Sequence, residues 1–244
     1  MSTSPRQATT DPRMSRGTTF AQLAIVIIAP SLGALSALWL WPGPVGGVVY
    51  AACKAVLYGV PLWILWKRLG LTGLLAWPVS RSSWTVVLAG LSSGVLIGVG
   101  IWLLWTFLLS SRVDPSPLVD VMLENGMANP LKFWVFAAWL CLGNSLLEEV
   151  VFRWYVDTRL EKLGMAILPV LLISASIFTA HHVIVLGAYF EWPMVALGSG
   201  GVFAGGVIWS LFRMRFSTLL PGWISHALVD VAVVLVGWSI LSSA

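Results

Sequence analysis

Residues 84–109 read WTVVLAGLSSGVLIGVGIWLLWTFLL, without one charged side chain. A helix gains 1.5 Å per residue, so this run exceeds the length of about 20 residues that crosses the hydrocarbon core of a bilayer. Six more apolar runs bounded by charges flank it, at 20–41, 45–66, 133–155, 165–190, 194–212 and 219–240. The predicted fold class is all-α, a polytopic membrane helix bundle of about seven transmembrane helices, within a range of six to eight.

Composition points the same way. Of 244 residues, 58% are apolar or aromatic and 10% are charged, against about a quarter charged in soluble domains. Disorder, a disulfide scaffold and a nucleic-acid binder are excluded together, because apolar surface dominates and the net charge of +4 is spread over many short segments. Cys53 and Cys141 lie in apolar runs and read as small core residues.

Residues 1–19 are polar and read as a disordered cytoplasmic tail; the run that follows is too long for the core of a cleaved signal peptide. Residues 20–131 form the N-terminal helices and 132–244 the remaining core. With the N-terminus inside, the inner loops hold Arg6, Arg13, Arg16, Lys67, Arg68, Arg81, Arg159, Lys162, Arg213 and Arg215, and the outer ones Arg112 and Lys132. Basic residues resist translocation, so this bias sets the N-terminus in the cytoplasm. The compact, short-looped chain suits a bacterial inner (plasma) membrane. The outer segment 110–131, with its prolines and acids, reads as an exposed loop. Trp39, Trp41, Trp66, Trp77, Trp84, Trp134 and Trp192 fall near span ends and read as interfacial anchors.

The Gly-rich stretch 198–206 lies within an apolar span and lacks the strand of a nucleotide-binding turn. Gly90, Gly94 and Gly98 recur every four residues, as do Gly201 and Gly205, which predicts helix faces where backbones approach closely.

Ionisable residues inside apolar helices are functional candidates by default. They are Lys54, Glu148, Glu149, Arg153, His181, His182, His226 and Asp230. Lys54 stands alone on its helix, either snorkelling or pairing with an acid. Glu149 and Arg153, four apart, share a face where an ion pair lowers the cost of burying both. Glu148 lies about 100° round the helix, with its charge uncommitted. Phe178 and His182 share a face, and so do His226 and Asp230. If the fourth helix continues through 153–163 and turns at Gly164, Glu148 lies 16 residues before the turn and His182 lies 18 after it. An antiparallel hairpin sets them at nearly the same height, within about 3 Å. The charged stretch 153–163 places that turn in the cytoplasm, with the site in the inner half of the membrane.

Glu148-Glu149-x-x-x-Arg153, Phe178-x-x-x-His182 and His226-x-x-x-Asp230, in that order on successive helices, resemble the CPBP family of intramembrane glutamic endopeptidases, also called the CAAX prenyl protease type II or Abi family. The resemblance covers about residues 130–240. It implies a peptidase acting on a membrane-associated protein or peptide. Glu148 and His182 would activate water, His226 and Asp230 would stabilise the oxyanion, and Glu149 and Arg153 would support them. An ionised Asp230 would repel an oxyanion, so it acts protonated or orients His226 instead. The doubled histidine departs from the pattern; His181 lines the site or is an inert neighbour. Family members process prenylated proteins, bacteriocins or sorting tails, and nothing in the chain selects among these. The resemblance implies no cofactor. The alternatives are a zinc protease using Glu148, His182 and His226, although no H-E-x-x-H helix is present, and a proton-coupled transporter, although no repeat relates the halves. The oligomeric state is open.

Overall fold

The computed structural model describes residues 16–76 and 83–243. The stretch 1–15 with Arg6 and Arg13, and Trp77 and Arg81, lie outside the described residues. Among the described residues seven helices are long and apolar enough to cross a membrane: α1 (Gly17–Leu40), α2 (Pro44–Lys67), α3 (Trp84–Leu109), α5 (Pro130–Lys162), α6 (Ile167–Gly187), α7 (Trp192–Phe216) and α8 (Leu220–Leu241). A short helix, α4 (Ser116–Glu124), lies between α3 and α5. No strand occurs among the described residues.

The boundaries differ from expectation in three places. Helix begins at Arg16, inside the stretch read as a disordered tail. The helix of α2 runs on to Ala76. The segment read as an exposed loop contains α4, whose Val119 is buried. Met122 and Met127 pack there against the cluster of Phe133, Ala137, Cys141 and Val234, closing one end of α8. Trp84 and Trp192 start their helices and are largely exposed, as interfacial anchors are. Cys53 and Cys141 are both free thiols.

The glycine stripe of α3 decides where α8 sits. A methyl group added at Gly90 would come 2.8 Å from the Pro221 carbonyl, at Gly94 2.8 Å from Leu228 Cβ and 2.9 Å from Ser225 Cα, and at Gly98 3.3 Å from Ala232 Cβ. The two helices therefore lie in close contact over about two turns, and at Gly90 and Gly94 the approach leaves no room for a side chain. Ser93 Oγ and Ser225 Oγ, 2.9 Å apart, fix the register beside His226. The second expected stripe is not an interface, because open space surrounds Gly201, and Gly205 faces the ring of Trp209 on its own helix. Gly206 makes the close approach instead, 3.2 Å from Ala175 of α6.

Helix α5 passes through two π-helical stretches, Trp139–Asn144 and Glu149–Val156, before the chain turns at Gly164, whose φ of 82° suits glycine. Such wide turns disturb the carbonyl ladder, which in hydrocarbon must be satisfied from elsewhere. Trp223 Nε1 donates to the Leu142 carbonyl at 3.1 Å, and Ser174 Oγ to that of Phe152 at 3.3 Å. Phe152 packs on Phe178 with ring centroids 4.9 Å apart. One turn further along the hairpin, the same register brings Glu148 level with His182, as the counting from Gly164 predicted.

The charged stretch after Arg153 does not protrude. Asp157 and Arg159 are fully buried. Arg159 Nε donates to Gln22 Oε1 of α1 at 3.1 Å, and its guanidinium lies 3.7 Å from the centroid of the Tyr155 ring. Arg213 reaches from α7 to Asp157 at 3.4 Å and grips Glu161 with two hydrogen bonds of 3.2 and 2.5 Å. These charges pair across the bundle, which offsets their desolvation.

Gly94→Leu is expected to destabilise the protein by about 1–3 kcal/mol, the usual cost of overpacking, whereas Gly201→Ala should leave it unchanged. Thermal unfolding in detergent checks both.

Candidate active site

Glu148 and Glu149 lie on the inward side of α5, His226 and Asp230 one turn apart on α8, and Lys54 on α2. The carboxylates of α5 and α8 meet at one imidazole, and Lys54 joins them through Glu148. His226 Nδ1 is 3.2 Å from Glu149 Oε1, while its Nε2 is 3.7 Å from Glu148 Oε2 and 3.8 Å from Asp230 Oδ1. Only the first is a hydrogen bond; it is Glu149, not Asp230, that grips the ring.

This changes one expectation. The 100° step between adjacent helical residues predicts different surfaces for Glu148 and Glu149. Instead both reach the same ring, which lies between their two directions, from its opposite nitrogens. Glu149 keeps its predicted ion pair as well: Arg153 Nε lies 3.6 Å from Oε1.

Arg153 is fully buried, and its guanidinium is fixed on several sides. Nη1 donates to Ser174 Oγ at 3.4 Å and Ser210 Oγ at 3.3 Å, and the group lies 4.8 Å from the Phe178 ring centroid. Arg153 therefore ties α5 to α6 and α7 while countering the charge of Glu149. Gly222 leaves room for that carboxylate, since a methyl group there would come within 2.5 Å of Glu149 Oε2.

The plane of His226 is set by Trp209, whose ring stacks on it with centroids 4.0 Å apart and planes 14° from parallel. Trp209 Nε1 donates to Ser225 Oγ at 3.0 Å. Phe178 stands between the two histidines, 4.7 Å from His182 and 5.9 Å from His226, edge-on to both. His182 Nδ1 lies 2.9 Å from the Phe178 carbonyl. A carbonyl only accepts, so this nitrogen carries the proton, and in the neutral ring the lone pair is left on Nε2.

Among the described residues no hydrogen bond or ion pair joins His182 or His181 to a carboxylate. His181 is buried against Phe152 and His182, at 6.0 and 4.1 Å between ring centroids. Lys54, left open by its isolation in the sequence, enters the site: Nζ is 3.8 Å from Glu148 Oε1. Tyr58, Asn144 and Trp209 were not singled out by the sequence reading. Tyr58 and Asn144 carry no charge, and Trp209 lies mid-helix among many tryptophans. A polar side chain one helical turn from a charged one, as Tyr58 is from Lys54 and Asn144 from Glu148, was the available signal.

Glutamate, aspartate and histidine side chains grouped in this way can polarise a water molecule and donate to a developing oxyanion. As for zinc, among the described residues no three His, Cys, Asp or Glu side chains are grouped so as to hold a metal ion, and His226 Nδ1 is already engaged by Glu149.

Arg153→Met is expected to cost about 3–5 kcal/mol, because it strands the buried Glu149 carboxylate. Gly222→Ala displaces that carboxylate and should lower activity in protein that still folds. Unfolding curves and a cleavage assay on the two variants test this.

Residues 130–232 match the family model of Rce1-like type II CAAX prenyl endopeptidases. No curated protein and no solved structure matches the chain. The matched segment holds every group of the cluster except Lys54 and Tyr58. The chain is thus a multi-pass membrane protein whose residues 130–232 are similar to the Rce1-like type II CAAX prenyl endopeptidases.

Proposed function

We propose that the protein is an intramembrane endopeptidase of the glutamic type, using Glu148 as its base, on a membrane-anchored protein or peptide. The observation that carries this reading is the convergence of Glu148, Glu149 and Asp230 on His226 inside a membrane bundle, level with a histidine whose Nε2 is free to accept.

Water lodged between Glu148 and His182 Nε2 gives a proton to the Glu148 carboxylate as its oxygen attacks the scissile carbonyl. The negative charge moves to the carbonyl oxygen. His226, doubly protonated, donates from Nδ1 to Glu149 and from Nε2 to that oxyanion. Glu149 thus does for His226 what the buried carboxylate does in a serine-protease triad, fixing the ring and favouring its imidazolium. Asp230, protonated, is a second donor to the oxyanion. Collapse of the tetrahedral intermediate passes the proton from Glu148 to the departing amine, and the peptide bond breaks. No metal or other cofactor takes part.

The substrate enters from the bilayer, and by the family name a prenylated C-terminal peptide is the natural probe. The N-terminus faces the cytoplasm, on the balance of basic residues between the two sets of loops.

Purified protein in lipid nanodiscs should cleave a farnesylated peptide with a CAAX terminus. Glu148→Ala, His182→Ala and His226→Ala should each lose about 100-fold or more in rate with unchanged thermal unfolding. Normal cleavage by Glu148→Ala contradicts the mechanism. Exhaustive chelation should leave the rate unchanged; its loss, with recovery on adding zinc, would replace this chemistry with a metal-based one.

A further inference from the structure

The resemblance and the family match both begin near residue 130, yet one charged member of the cluster comes from much earlier in the chain. Lys54 lies on α2, where Nζ donates to Tyr58 Oη at 2.9 Å. Tyr58 Oη in turn donates to Asn144 Oδ1 at 2.7 Å. Asn144 is one helical turn before Glu148 on α5, and Nζ itself lies 3.8 Å from Glu148 Oε1. A closed loop results: Lys54 holds the carboxylate directly, and through Tyr58 it also holds the turn of α5 on which that carboxylate stands. The rings of Tyr50 and Tyr58 flank the ammonium at 5.7 and 5.1 Å from their centroids, one turn away on either side.

Charge explains why the loop is needed. Arg153 is committed to Glu149 and to two buried serines. Among the described residues Lys54 is then the one lysine or arginine within ion-pair distance of Glu148, on the Oε1 side, while the imidazole of His226 meets Oε2. A carboxylate this deep in a bundle keeps its charge and its direction only with a partner. Snorkelling does not describe this lysine, since a snorkelling ammonium leaves the bundle for the headgroups, whereas this one turns towards an acid on a neighbouring helix.

We propose that Lys54, tethered through Tyr58 and Asn144, is a positioning residue for peptide hydrolysis, holding the Glu148 carboxylate from the N-terminal half of the chain. The proposal rests on the reading of Glu148 as the base. It makes α2 part of the catalytic unit, so the segment 130–232 on its own lacks a group that its base requires.

Steady-state cleavage of a farnesylated CAAX peptide in nanodiscs, by wild type, K54M, K54R, Y58F and E148Q in parallel with thermal unfolding, tests this. K54M should lose kcat by about 100-fold, the cost of misplacing a catalytic group by about 1 Å, with KM nearly unchanged. K54R, which keeps the cation, should restore much of kcat. Wild-type kcat in K54M beside an inactive E148Q overturns this inference alone. An E148Q that still cleaves overturns the reading of Glu148 and this inference with it. A K54R as impaired as K54M overturns the charge tether in favour of a packing role. If K54M does not fold, Y58F decides, because it keeps the ring and loses only the hydroxyl: a fall in kcat at constant KM supports the tether, and wild-type kcat overturns it.

Discussion

A carboxylate in hydrocarbon is stable only when something opposite in charge is brought to it and kept there, and in this protein two adjacent glutamates share one imidazole for that purpose. The His226 ring lies between Glu148 and Glu149 and is stacked flat on Trp209. Much of the packing serves that meeting. The three glycines of α3 let α8 approach until Ser225, next to His226, bonds with Ser93. Gly222 leaves space for Glu149, and Arg153 balances its charge while gripping the serines of α6 and α7.

The pairing continues along α5. Glu149, Arg153, Asp157 and Glu161 follow one another at intervals of four, and Arg213 of α7 bridges the last two. Side-chain exposure rises from 1% at Glu149 to 40% at Glu161, so the row leads from the site to the end of the bundle. A purely structural salt-bridge network would account for the lower part of this row. It does not account for Glu148, which the row bypasses and which faces Lys54 and His226 instead. The two glutamates thus differ in their partners, Glu149 bonded to His226 and paired with Arg153, and Glu148, the base of the proposed mechanism, facing Lys54 and the other side of the ring.

Much of this was legible in the sequence because it depends on spacing along single helices. Apolar length gave the seven spans, the turn at Gly164 gave the level of Glu148 against His182, and the four-residue intervals gave the pairs Glu149 with Arg153 and His226 with Asp230. The regular repeat on α3 correctly marked an interface. What stayed hidden depends on contacts between helices. Periodicity gives the angle between Glu148 and Glu149 but not that one imidazole from another helix lies between them and meets both. It does not say which helix Lys54 turns towards, nor that a tryptophan in the middle of α7 underlies the site histidine. Gly201 and Gly205 carried the same four-residue signal as the α3 stripe but meet no neighbouring backbone, and the real approach falls at Gly206. The burial of Asp157 and of Arg159, the latter expected in an inner loop, is hidden for a related reason: their partners, Arg213 and Gln22, come from other helices.

The similarity of residues 130–232 to CAAX endopeptidases and the seven-span bundle support the proposed membrane peptidase, and the geometry around His226 suggests how it would work. That account depends on Glu149 and His226 acting as one unit. A double-mutant cycle with Glu149→Gln and His226→Gln, read as kcat/KM for folded protein, measures this coupling most directly. The account predicts that the double variant is hardly slower than either single one, leaving a coupling energy above about 1 kcal/mol. Losses that simply add would contradict it, because the two residues would then be acting independently.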